Sequence, residues 1–176
     1  MLWLFIIILG SLAAAIALVV VIGMALPQNH RAARTARFSQ APATVWSAIT
    51  DHASEPTWRG DIVKKERLDD RDGHAVWRET RKRGDTMTLE TMVFEPPRRM
   101  VGRIADEKLP FGGTWTYEIA PVDGGSACTL TITEDGEIYN PVFRFVARFL
   151  IGYQGTMNGY LAALSRKFGR EPAFAD

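Results

Sequence analysis

Ile132 to Phe168 reads ITEDGEIYNPVFRFVARFLIGYQGTMNGYLAALSRKF. It begins as the end of a strand, passes through an acidic turn, and continues as an amphipathic helix. Val142, Val146, Phe149, Tyr153, Met157, Tyr160, Leu164 and Phe168 recur at steps of three and four, which predicts one apolar stripe along an unbroken helix. Asn140 followed by Pro141 supplies a capping side chain and a residue suited to the first helical position. Lys167 and Gly169 supply a cation in the last turn and a left-handed stop. At 1.5 Å per residue such a helix is about 40 Å long, so it needs a large partner to cover its stripe.

The segments upstream supply that partner. Ala33 to Ser39 is read as a short strand, and Ala41-Pro42 opens a brief helix with Val45, Trp46 and Ile49 on one face. Glu55-Pro56 starts a second short helical turn carrying Trp58. From Ile62 the period changes to two. Strands are predicted over Ile62 to Leu68, around Trp77, over Thr86 to Glu95, Arg99 to Ala105, Thr114 to Ala120, and from Ala127 onward. Pro96-Pro97 must end one pairing, since proline cannot donate to a ladder. Short turns between successive strands favour an antiparallel meander, and one apolar face per strand implies a sheet covered on one side.

The N-terminus differs from all of this. Leu2 to Leu26 carries no charged residue. As a helix it extends about 37 Å, enough to cross a hydrocarbon core of about 30 Å. Residues 2–26 are therefore read as a transmembrane helix, 27–30 as a linker, 31–170 as the folded domain and 171–176 as a tail. The apolar run is longer than a signal-peptide core and lacks a preceding basic residue, although Gly23-Met24-Ala25 resembles a cleavage site. Arg31, Arg34 and Arg37 follow the span, which places the domain in the cytoplasm by the positive-inside tendency.

Bulk properties narrow the function. A net charge of +1 over 176 residues argues against nucleic-acid binding, and a single cysteine, Cys128, allows no intrachain disulfide. His30, His52 and His74 have no metal-ligand spacing, so no metal site is expected. There is no phosphate-cradling glycine loop, dinucleotide fingerprint or nucleophile elbow, and no cofactor is expected.

Several local motifs occur in a familiar order. They are Ala41-Pro42 through Val45-Trp46 and Ile49-Thr50-Asp51, then Trp58-Arg59 with Asp61, then Trp77-Arg78-Glu79. Pro96-Pro97-Arg98-Arg99, Phe111-Gly112-Gly113-Thr114-Trp115 and Thr133-Glu134-Asp135-Gly136 follow. Together, over residues 30–168, they resemble the SRPBCC superfamily, which includes START-related lipid carriers, birch-pollen-allergen-like proteins and polyketide cyclase/dehydrase proteins. The resemblance implies an α+β helix-grip fold, a curved antiparallel β-sheet wrapped around a long C-terminal helix, here with an N-terminal transmembrane helix added.

Glu79 and Glu134 share strand parity with apolar neighbours, so both are expected to face the interior. There each could contact a ligand or act in acid/base chemistry. The structural alternatives are an ion pair for Glu79 with an arginine such as Arg103, and a rim position beside a bulge for Glu134. Trp77, Trp115, Tyr117, Tyr153, Met157 and Tyr160 complete the expected lining. Gly152, Gly155 and Gly159 flank the stripe and signal either room for a ligand or a kink. Arg144 and Arg148 are read as solvated surface or as headgroup contacts. The loop Lys108 to Gly113 is read as a gate, a bilayer contact or ordinary packing. The leading expectation is a membrane-tethered protein that binds a hydrophobic or lipid-like small molecule. A cyclase/dehydrase-like enzyme and an interaction module with a filled cavity are the alternatives.

Overall fold

A computed structural model describes residues 1–175. Asn140 caps α4 (Pro141–Val146) by accepting from the amides of Val142 at 2.9 Å and Phe143 at 3.3 Å. The start of the helix is thus where the sequence places it, but the helix is not continuous. Ala147–Ile151 widens into a π-helical turn. Gly152 then breaks the path at φ 76° and ψ 154°, a backbone region open essentially to glycine alone. The helix that packs on the domain is α5 (Gly155–Lys167). The break separates two halves of the predicted stripe. Met157, Tyr160 and Leu164 are buried in the core, whereas Val142 and Phe149 are exposed. Val142 and Phe149 are left without cover by the domain, and the backbone at Gly152 ends the helical path. Gly152→Ala is expected to cost about 1–3 kcal/mol, the strain of a side chain in that region. Thermal unfolding followed by near-UV circular dichroism checks this, and an unchanged midpoint would show that the break tolerates a straighter path.

The strands are β1 (Asn29–Phe38), β2 (Ile62–Arg71), β3 (His74–Arg81), β4 (Thr86–Glu95), β5 (Arg99–Ile104), β6 (Phe111–Val122), β7 (Ala127–Ile138) and β8 (Ala173–Ala175). They form one antiparallel sheet in the order β2-β3-β4-β5-β6-β7-β1-β8. The meander from β2 to β7 follows the predicted turns. β1 starts at Asn29, inside the segment read as a linker, and closes onto β7. β8 lies in the segment read as a tail and pairs with β1 at Thr35 to Arg37. Asp176, the last residue of that tail, lies outside the described residues.

Helices α2 (Pro42–Thr50) and α3 (Glu55–Trp58) follow β1. Val45, Trp46 and Ile49 of α2 are buried with Met157, Leu161 and Leu164 of α5 in one core cluster. The fold is the helix-grip arrangement expected, with α5 rather than a 28-residue helix in the grip. Ahead of it, α1 (Leu2–Ala25) is one helix long and apolar enough to cross a membrane. Arg31, Arg34 and Arg37, which follow α1, are all β1 residues.

Candidate functional site

Residues directly opposite in antiparallel strands project to the same face. Trp115 on β6 lies opposite Gly102 on β5 and Glu134 on β7, and Tyr117 lies opposite Met100 and Ile132. Trp77 on β3 lies opposite Leu89, which lies opposite Ile104. These rows make up the concave face, because Ile119, Met100 and Ile132 of the same parity enter the core with α5. The core closes over β1, β6 and β7, yet Trp77, Leu89, Ile104, Trp115 and Tyr117 remain only half-buried. A Cβ built on Gly102 would meet no described atom within 4 Å. An open space therefore lies over the middle of the sheet, lined mainly by aromatic and aliphatic side chains.

Tyr160 of α5 forms one wall of the space. Its ring makes edge contacts with Trp58 at 5.5 Å, Tyr117 at 5.7 Å and Trp115 at 6.0 Å between centroids. Trp58 Nε1 is buried without a hydrogen-bond partner among the described residues. Buried indole N–H groups ordinarily find an acceptor, so this donor is available to a bound group. Burial pushes the Tyr117 hydroxyl above its ordinary pKa, with the nearby Glu55 charge adding to the effect. Tyr160 is raised by burial and then by Tyr117. Both phenols stay neutral at ordinary pH and serve as donors, not as bases.

Beside this aromatic group sits an ionic cluster built from three elements. Arg59 Nη1 donates to Glu55 Oε1 at 2.8 Å and to Glu79 Oε2 at 3.1 Å. Lys65 on β2 also donates to Glu55 and stands 3.9 Å from Glu79. His52 Nδ1 lies 3.3 Å from Glu55 Oε2, and its ring meets the edge of Trp77 at 4.4 Å. The Arg59 guanidinium lies 5.5 Å above the Tyr160 ring, joining the two groups. Glu79 does face inward and is fully buried, but its partner is Arg59. Arg103, the partner expected from sequence, binds Glu90 at 2.5 Å.

Burial alone would raise the Glu55 pKa, but the hydrogen bond with His52 and the charges of Lys65 and Arg59 bring it down to about 2. Its ordinary value is 4.5, and a depressed folded-state pKa means stabilisation that is complete above that pH and lost as the pH falls toward 2. Acid unfolding is accordingly expected in that window. In Glu55→Gln the acid titration of near-UV dichroism should be shallower there and start from a less stable protein at neutral pH. An unchanged acid profile would remove Glu55 as a contributor.

Glu134 occupies a separate place. Its Oε1 lies 3.4 Å from His30 Nε2, and the His30 ring stacks on Tyr153 at 4.1 Å. The β6–β7 ladder passes this point without a register shift, so the bulge expected beside Glu134 is absent. Met157 is fully buried in the core. Of the expected lining, Trp115, Tyr117 and Tyr160 converge directly, Glu79 joins through Arg59, and Trp77 joins through His52. Glu134 and Tyr153 converge on His30 instead. Sequence reasoning missed Glu55, His52 and Lys65, although the His52–Glu55 and Glu55–Arg59 pairs fall at helical spacings of three and four, and it left Gly102 unremarked. Gly102 carried a local signal as a lone glycine inside a strand. Burial raises the Cys128 thiol to about 11, in keeping with a structural role. An open surface hollow of about 610 Å³, lined by residues including Pro42, Pro97, Arg98 and Glu118, touches neither the aromatic group nor the ionic cluster.

Comparison with known proteins agrees with this fold. No curated protein matches the chain in sequence. Among solved structures, XoxI from Bacillus cereus superposes with a TM-score of 0.64 at 18% identity, covering 78% of this chain and 94% of that one. The Zhui aromatase/cyclase from a Streptomyces species gives 0.62 at 14% identity, over 77% and 91%. A START superfamily protein from Mycobacterium smegmatis gives 0.60 at 18% identity, over 78% and 96%. At these identities the likeness is one of fold. The family model described as polyketide cyclase / dehydrase and lipid transport matches residues 29–169. With nearly the whole domain covered by that model, the chain belongs to the polyketide cyclase/dehydrase and lipid transport family, within the START-related SRPBCC superfamily.

Proposed function

We propose that this protein is a membrane-anchored carrier or receptor for a hydrophobic or amphipathic small molecule held between the sheet and α5. Residues 2–26 form the bilayer anchor, 27–30 the connection and 31–170 the binding domain. The observation that carries the proposal is the open space at Gly102, bounded by half-buried Trp77, Leu89, Ile104, Trp115 and Tyr117. Apolar walls with a few convergent polar groups are what small-molecule sites present. Trp58 Nε1 and the neutral hydroxyls of Tyr117 and Tyr160 would orient a polar end of the ligand. The open space counts against an interaction module whose cavity is filled by its own side chains.

Catalysis is the second reading, and the His30–Glu134 pair is what favours it, since a carboxylate beside an imidazole can shuttle a proton. Glu79 supports it less, because Arg59 and Lys65 hold its carboxylate in an ion-pair network. The cytoplasmic placement of the domain rests on the arginines that follow α1. Proteolysis of intact cells tests it, as digestion from outside would reverse the orientation. The central test is purification of the full chain in mild detergent followed by mass spectrometry of extracted molecules. A co-purified apolar ligand is expected, and protein that is empty and binds no lipid-like probe would overturn the proposal.

A further inference from the structure

Several large apolar side chains of the domain lie side by side on its surface. Phe143, Phe149, Leu150 and Ile151 are exposed along α4 and the π-helical turn, Leu150 at 72% and Ile151 at 66%. Monomeric domains rarely leave neighbouring large apolar side chains uncovered without a partner. The same stretch, from Pro141 to Gln154, contains Arg144 and Arg148 and no acidic residue.

Its position says what the partner is. Gly23, one turn from the end of α1, is buried against α4, and a Cβ there would come within 2.0 Å of the Pro141 carbonyl oxygen. Arg144 then joins the two elements. Its guanidinium donates to the Gly23 and Leu26 carbonyls at 3.4 and 3.3 Å, and to the Ile138 and Tyr139 carbonyls at 2.8 and 3.0 Å. The open carbonyls at the C-terminal end of α1 thus receive a cation from the domain, as a helix C-terminus favours. The contact fixes α4 at the level where α1 ends.

We propose that Pro141–Ile151 is a membrane-docking element that lies in the headgroup region of the leaflet from which α1 emerges. Phe143, Phe149, Leu150 and Ile151 enter the acyl boundary, and Arg148 meets anionic headgroups. The proposal rests on α1 being a span, because the Gly23–Pro141 contact places α4 relative to α1 and to nothing else. The domain is then seated on the bilayer and not suspended by a tether. In the Lys108–Gly113 segment Leu109, Pro110 and Phe111 are half-buried, and Phe111 to Gly113 belong to β6.

The test uses the full chain in phosphatidylcholine vesicles containing phosphatidylglycerol. A polarity-sensitive fluorophore is attached at Leu150→Cys, at Ile16→Cys within α1, or at Lys82→Cys in the β3–β4 turn. Buried Cys128 serves as the unlabelled background. Quenchers carried at shallow and deep positions on the lipid are expected to remove most of the emission at Leu150 and Ile16 respectively, and little at Lys82. Quenching at Ile16 with Leu150 behaving like Lys82 would overturn docking and leave the anchor standing. Loss of quenching at Ile16 would remove the anchor and the docking with it. Shielding of Leu150 that ignores the lipid quencher and tracks protein density would assign the patch to a second copy of the chain and overturn the proposal.

Discussion

Arg59→Ala is expected to lower the unfolding free energy by about 3–5 kcal/mol, the range for removing one partner of a buried ion pair. Arg59 is the only side chain that hydrogen-bonds both Glu55 and Glu79 in the described structure. Those carboxylates have side-chain exposures of 4% and 1%, so water cannot take over from the guanidinium. Without it, Glu55 keeps Lys65 and His52 and Glu79 keeps only Lys65 at 3.9 Å and Arg81 at 3.6 Å, so the buried acids lose the group that bridges them and the α3–β2 corner is weakened. The loss extends to the interior wall, because the guanidinium also stacks over Tyr160. Urea unfolding of the detergent-solubilised chain, followed by tryptophan emission, gives the number. Arg59→Lys should recover part of it, since a lysine keeps the charge but cannot bridge both carboxylates in a fork. A loss below about 1 kcal/mol, the size of an exposed pair, would mean the cluster is hydrated and does not brace the sheet.

The same cluster shows what a sequence can and cannot disclose. Glu79 could be placed inside from strand parity alone, because alternation on a sheet is a local rule. Its partner could not, because Arg59 sits in the α3–β2 turn, and sequence spacing does not report which turns fold over a strand. Arg103 was as reasonable a partner by charge and in fact serves Glu90, another buried carboxylate on the neighbouring strand. The meander was legible for the opposite reason. Its turns are short, its strands alternate, and antiparallel pairing of sequence neighbours follows from both.

The C-terminal helix marks a subtler limit. Val142, Val146, Phe149 and Tyr153 continue the period of Met157, Tyr160 and Leu164, so the stripe looks uniform. Periodicity reports that one face is apolar; it does not report which apolar medium covers that face. In the structure Met157, Tyr160 and Leu164 face the protein core, and Phe149 faces away from it. Gly152 was the better guide. Gly152 is the break, while Gly155 opens α5 and Gly159 lies on its exposed side. None of these outcomes follows from helix propensity, which assigns all three the same cost.

Gly102→Phe is expected to abolish ligand uptake while leaving the domain folded, and it is the most direct way to ask whether the hollow is the site. Gly102 lies on β5 between Thr91 and Trp115, on the concave face. Its backbone is not in the left-handed region, so a side chain brings no conformational strain. A phenylalanine there enters the space that a ligand would use and stacks near Trp115, and the buried area offsets part of any local adjustment. Stability should therefore fall by less than the roughly 1–3 kcal/mol that overpacking a filled core costs. Ligand recovered by mass spectrometry, or retention of an environment-sensitive apolar probe, should fall to background. Gly159→Ala on the outer side of α5 is the matched control and should bind normally. Binding that survives in Gly102→Phe at unchanged affinity would move the ligand away from Gly102, toward the α4 surface or the His30–Glu134 pair. Loss of fold in place of loss of binding would show that the space at Gly102 closes in solution, and the module with a filled interior would then be the better description.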